Sequence, residues 1–392
     1  MRGRNRLGPV GFVLAFGVVS MLTDVVYEGA RSIAGPFLAT LGAGAALVGL
    51  ITGLGEAVAL VLRLGTGPLA DRTRRYWPIT ITGYAITVVA TPLLAFASVL
   101  WQAAALIIAE RFGKAVRTPA RDTLLAHAGS KMGRGKAFAV HEALDQSGAL
   151  LGPLLVGAVV AAAGYPEGFA VLAAPGAVAI VAVVILRRLV PRPEVFGARA
   201  DDDGDDPAPD SRAPLPPRFW WYAAFTSVAM LGFPTFGVLS FHLEARNVLA
   251  PGLIPVTYSV AMAAAAVVAL ASGAFYDRFG LRVLPVALVL SAAVPFLSFS
   301  LLPPLVWTGA AVWGAAMGLH ESTMRAAVAD LVPDTKRATA YGVFTASYGL
   351  AWLAGSVLIG WAYQSAPELL PAMVVGSQAA ALALFAPVLR AR

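Results

Sequence analysis

Apolar residues run along this chain in long blocks, and each block ends at a few polar, Gly or Pro positions. Twelve blocks can be drawn, near residues 9–41, 44–70, 76–98, 99–127, 136–163, 165–189, 218–245, 251–276, 281–302, 304–330, 336–364 and 366–389. A helix that crosses a bilayer takes roughly 20 mostly apolar residues, which is the scale of these blocks. Within hydrocarbon every backbone N–H and C=O needs an internal partner, so such blocks form helices. The pattern predicts an all-α polytopic membrane protein with twelve transmembrane helices.

Composition sharpens this picture. Of 392 residues, 58% are hydrophobic and 13% charged, with a mean hydropathy of +0.74. A soluble domain carries about a quarter charged residues. There is no cysteine, which excludes disulfides and thiolate metal sites. The net charge is +7, and its placement says more than its size. Basic residues gather at "RGRNR", "DRTRR", "KMGRGK", "RRLVPRP", "DRFGLR", "DTKR" and "RAR", which are alternate connections plus both ends. The other connections, "LGAGAA", "AGYPEG", "ARNVLAPG", "LLPP" and "QSAPE", hold only Arg246. Lys and Arg are retained on the cytoplasmic side. Both termini are therefore expected inside, in a bacterial cytoplasmic membrane, with an even number of spans. Dispersal of the basic residues among short loops excludes a nucleic-acid partner. The first block runs on through Asp24 without a small-residue cleavage site, and reads as an uncleaved helix.

The longest polar interruption, rich in Pro, Asp, Gly and Ala, reads as a disordered linker. Its acidic run Asp201–Asp206 reads as a solvated spacer. The boundaries expected are 1–189 for one six-helix bundle, 190–217 for the linker and 218–392 for the second bundle. The two halves resemble each other. "GPLADRTRR" ends the second block and "GAFYDRFGLR" the eighth, with Asp71 and Asp277 offset by 206 positions. "RGKAFAVHEALDQSGALLGPLLVG" and "RATAYGVFTASYGLAWLAGSVLIG" align at an offset of 203. Duplicated halves of this kind build transporters with a binding site at mid-membrane.

On these residues the chain resembles the Major Facilitator Superfamily, over nearly its whole length. The family's loop signature reads here as Gly67, Asp71, Arg72, Arg74 and Arg75, and again as Gly273, Asp277, Arg278, Gly280 and Arg282. Arg74 stands where the family has Gly. The resemblance implies two pseudo-symmetric six-helix bundles and a cytoplasmic gate at these loops. Asp71 sits at the C-terminal end of its helix, where a carboxylate is disfavoured by the helix dipole. It is expected to dock on the unsatisfied N–H groups where the eleventh helix starts, near Lys336. Asp277 is expected to dock likewise near Lys136. Gly148, Gly152, Pro153 and Gly157 resemble part of a signature of proton-coupled exporters, with the second Gly of the pair displaced. The same small residues also permit close helix packing.

"ERFGKAVRTPARD" decides where the chemistry lies. At about 100° per residue, Lys114, Arg117 and Arg121 fall near 40°, 340° and 20° from Glu110. They form one polar stripe on an intramembrane helix, with Arg111 and Asp122 off it. Pro119 frees a carbonyl near Lys114 that needs a polar partner. Asp24, Glu28 and Arg31 share a face of the first helix, Glu56 and Arg63 a face of the second, and His141 and Asp145 are paired i, i+4 beside Glu142. Intramembrane charges normally face a cavity or one another. Seven acids against six bases on these four helices mean that many simply pair. The later half offers His242 and Glu244, then His320, Glu321 and Arg325, and an aromatic face of Tyr341, Phe344, Tyr348 and Trp352.

Together these features predict a secondary transporter, not an enzyme. It moves a small organic or drug-like molecule by alternating access, with proton-coupled export as the leading reading. Asp24, Glu28 and Glu56 are the proton-coupling candidates. The cavity candidates are Arg31, Arg63, Glu110, Arg111, Lys114, Arg117, Arg121, His141, Glu142, Asp145, His320, Glu321 and Arg325, with Tyr348 and Trp352. The partners are a small-molecule substrate, protons and the lipid bilayer; a monomer suffices, and no cofactor or metal is expected. Symport, uniport and metal-ion export remain open. "HEALD" and "HESTM" begin like a His-Glu-x-x-His zinc motif, but Asp145 and Met324 replace the second histidine. That leaves an intramembrane metalloenzyme as a remote alternative.

Overall fold

The structure is a computed structural model that describes residues 6–129, 133–196, 214–333 and 336–390, without the side chains of residues 134, 135, 325 and 338. The acidic run 201–206 lies outside the described residues. Twelve helical segments follow one another: α1 (Pro9–Thr40), α2 (Ala45–Thr73), α3 (Tyr76–Phe96), α4 (Leu100–Gly129), α5 (Arg134–Ala163), α6 (Tyr165–Leu189), α7 (Pro217–Ala245), α8 (Ile254–Phe279), α9 (Pro285–Ser298), α10 (Pro303–Leu331), α11 (Arg337–Ser365) and α12 (Leu370–Arg390). Among the described residues, nine of these are long and apolar enough to cross a membrane. The shorter α9 is apolar over 14 residues. Although α4 and α10 have 30 and 29 residues, α4 carries charges from Glu110 to Asp122 and α10 from Glu321 to Asp330. Large apolar side chains point outward, among them Phe96 at 80%, Trp101 at 70% and Leu270 at 82% exposure. Such an apolar exterior is suited to lipid.

Packing groups the described residues into two units, 1–30 with 62–207 and 31–61 with 208–392. These units record which helices touch, whereas the expected halves, 1–189 and 218–392, follow the repeat. A break at Leu62 divides α2 where the units meet in sequence.

Glycines set the helix approaches in both units. In the first, a methyl group on Gly83 of α3 would lie 2.7 Å from the Gly113 carbonyl of α4. Gly148 and Gly152 of α5 abut the Met21 and Val25 carbonyls of α1. In the second, Gly314 and Gly318 of α10 abut Ala261 and Ala265 of α8, and Gly355 of α11 abuts Leu231 of α7. Small residues let backbones approach where lipid offers no hydrophobic drive to associate. Gly152 and Gly355 are repeat equivalents at the offset of 203, so α5 meets α1 as α11 meets α7.

Candidate functional site

In the first unit, charges from α1, α4 and α5 converge behind α3. Arg117 is 1% exposed. It donates to Thr87 Oγ1 at 2.9 Å, lies 5.0 Å from the Tyr84 ring centroid and faces Asp24 at 3.8 Å. The close approach at Gly83 and Gly113 allows this, because a side chain there would collide with Arg117 or the α3 backbone. One turn on, Arg121 meets Asp122 at 3.0 Å, Asp145 at 3.6 Å and Ser20 Oγ at 3.3 Å. His141 lies 3.6 Å from the same Asp145 carboxylate. Nearly two turns before Arg117, Glu110 meets Arg111 at 3.3 Å, and Arg111 donates to the Tyr27 hydroxyl. Lys114 Nζ sits 3.8 Å from the centre of the Tyr27 ring.

The stripe of Glu110, Lys114, Arg117 and Arg121 is therefore real, but its partners include residues that the helical wheel set aside. Arg111 and Asp122 both join. Tyr27, Tyr84, Thr87 and Ser20 were missed. Tyr27 follows Asp24 by three positions and precedes Arg31 by four, so the spacing that found those charges also marks it. Tyr84 and Thr87 carry no charge, and the sequence gives them no signal. Glu28 is buried, and Glu142 lies exposed, accepting from Gln146 at 2.9 Å.

Pro119 removes the donor that would bond the Ala115 carbonyl. Thr66 Oγ1 of α2 donates to that carbonyl at 2.8 Å, supplying the polar partner expected near Lys114.

In the second unit Arg31 pairs with Glu56 at 2.8 Å. Its guanidinium lies 5.9 Å from the ring centroids of both Tyr258 and Trp352, within cation–π range. Phe344, Tyr348 and Trp352 form a continuous aromatic run, and Phe344 stacks on Tyr222. His320 is absorbed by packing, with Nε2 at 3.3 Å from Ser291 Oγ and Nδ1 at 3.1 Å from Met324 Sδ. His242 is likewise held, by Tyr363 and the Ser300 carbonyl. Glu321 is exposed, the Arg325 side chain lies outside the description, and Arg63 opens the second segment of α2. Among the described residues no three His, Asp or Glu side chains converge as a metal ion would require.

At the loop motif, Asp71, Arg72 and Arg75 are exposed, as are Gly273, Asp277, Arg278 and Arg282. A methyl group on Gly67 would lie 3.9 Å from Pro119 Cβ, and the Tyr76 hydroxyl reaches Asp71 at 3.5 Å. Of the helix α5 signature, Gly148, Gly152, Pro153 and Gly157 are all buried, and the first two seat α1.

The chain matches the Major Facilitator Superfamily over residues 14–387. It is 52% identical over 383 residues to the uncharacterized protein Rv2265 of Mycobacterium tuberculosis, covering 97% of this chain and 93% of that one. To the uncharacterized MFS-type transporter MJ1317 of Methanocaldococcus jannaschii it is 26% identical over 371 residues, with 91% and 89% covered. Among solved structures, a mutant of the nucleoside transporter NupG superposes with a TM-score of 0.76 at 15% identity, covering 95% of this chain and all of that one. The peptide transporter POT in complex with alafosfalin superposes at 0.73 and 16% identity, with 98% and 96% covered. Twelve helices in two repeated sets of six, charges buried among apolar helices and this match over residues 14–387 agree: the protein belongs to the Major Facilitator Superfamily and is a polytopic membrane protein that acts as a secondary transporter.

Proposed function

We propose that this transporter couples the movement of a small organic solute to protons, in the direction of export, across a bacterial cytoplasmic membrane. The observation that carries the reading is the pairing of Asp24 with Arg117 inside the helices, at 3.8 Å, beside the Arg121–Asp145 pair. A desolvated carboxylate keeps its charge while a guanidinium lies beside it, and takes up a proton once that cation turns away. Asp24 sits at the outer limit of an ion pair, so a small helix movement releases it. Glu56, clamped by Arg31 at 2.8 Å, is the tighter of the two acids. Glu28 stays a further candidate. The aromatic run at Tyr348 and Trp352 suits an apolar or aromatic part of the solute. Export rests on the likeness of the α5 glycines to the exporter signature. Asp71 and Asp277 are proposed to latch the cytoplasmic side through helix N-termini, in one state of the cycle.

The test is internal pH in dye-loaded proteoliposomes offered organic cations, organic anions, nucleosides, peptides and metal ions. Wild type is expected to show a solute-triggered pH change that Asp24→Asn lacks. Solute movement with no proton signal in the wild type contradicts the coupling.

A further inference from the structure

Helices α8 and α9 both pack on α10 but share no broad seam with each other, being joined by the turn Gly280–Val283. Between them runs an apolar groove of about 530 Å³. Val268, Phe275, Val286 and Leu290 wall it, and buried Leu319 of α10 forms its floor. Phe275 and Val286 are 54% and 49% exposed, so the groove opens outward, beside a helix long and apolar enough to span a membrane. Ser272, which also borders it, spends its hydroxyl on Ala269 and Ser322, at 2.9 and 2.7 Å, and asks for no polar ligand. The end at the turn carries exposed Arg282. Exposed Asp277 and Arg278 lie just before the turn, with Arg278 over the Phe279 ring at 5.3 Å. These three charges leave one net positive charge on the side that the basic loops assign to the cytoplasm.

An apolar slot that ends at a cation matches one kind of occupant. We propose that an anionic phospholipid of the cytoplasmic leaflet binds here, one acyl chain between α8 and α9 and its phosphate on Arg282. A basic residue at the membrane surface attracts anionic lipid by about 1 kcal/mol, roughly five-fold in binding. The hydrocarbon walls retain the chain and bring that charge to one place.

Native mass spectrometry of the purified full-length protein, titrated with phosphatidylglycerol or phosphatidylcholine, tests this. Wild type is expected to hold phosphatidylglycerol roughly five-fold more tightly. Arg282→Gln removes the preference while phosphatidylcholine binding stays, and Ala271→Trp, which fills the groove, lowers both. Arg282 is exposed, so its replacement keeps the fold and decides the matter even where the tryptophan variant fails to fold. Equal retention of the two lipids, a preference unchanged in Arg282→Gln, or full displacement by glycerol 3-phosphate at matched concentration overturns the proposal.

Discussion

Arg74 and Gly280 are repeat equivalents, 206 positions apart, and both have positive φ, at 52° and 58°. Their ψ values differ, 21° against −142°. The first pair of angles is ordinary left-handed helix, which a side chain tolerates at a cost of about 1–2 kcal/mol. The second lies in a region that essentially only glycine enters. This explains why the first loop can carry Arg where the family has Gly. Arg74→Gly is expected to leave the melting temperature unchanged or raise it, whereas Gly280→Ala lowers stability by about 1–3 kcal/mol. Equal effects at the two sites would count against the distinction. Arg117 makes a second case. Arg117→Ala removes the guanidinium that faces Asp24, and breaking a buried pair in this way costs about 3–5 kcal/mol. Adding Asp24→Asn should recover part of that loss in thermal unfolding. If single and double variants melt alike, Arg117 serves packing and not pairing.

At the scale of a helix, α4 shows what periodicity can and cannot tell. The 100° stripe placed Glu110, Lys114, Arg117 and Arg121 on one face, and that face is where α1 and α5 bring their acids. It could not say which acid meets which base. Asp24 and Arg117 lie 93 positions apart, and Arg111 and Asp122 enter the network from off the stripe because the long side chains of Arg111 and Arg121 reach around the helix. The proline was more legible. A missing donor demands a substitute for it, and Thr66 is that substitute. Thr66→Val is expected to destabilise the protein by about 1–3 kcal/mol, the cost of an unsatisfied buried carbonyl. With Pro119→Ala the helix supplies its own N–H, and Thr66→Val should then cost little. A cost that persists in the Pro119→Ala background would mean that the hydroxyl acts elsewhere.

Across the whole molecule, the twelve blocks, the repeat and the family were all readable, because lipid forces a long apolar run at each crossing. The grouping of residues 31–61 with the later helices was not readable, since it depends on close glycine contacts such as Gly49 against Ser356 and Gly360 against Ala45. Nor does any pattern of charge name the solute. The proposed coupling makes solute movement depend on protonation of the partly buried Asp24 carboxylate. In such a carrier, exchange of labelled for unlabelled solute needs no net proton movement, whereas accumulation driven by a pH gradient does. The measurement that tests this most directly compares the two modes in proteoliposomes for wild type and Asp24→Asn, using a solute identified by the pH assay. Exchange retained with gradient-driven accumulation lost is the predicted result. Loss of both modes together, or retention of both, contradicts the account and returns Asp24 to the structural pairs.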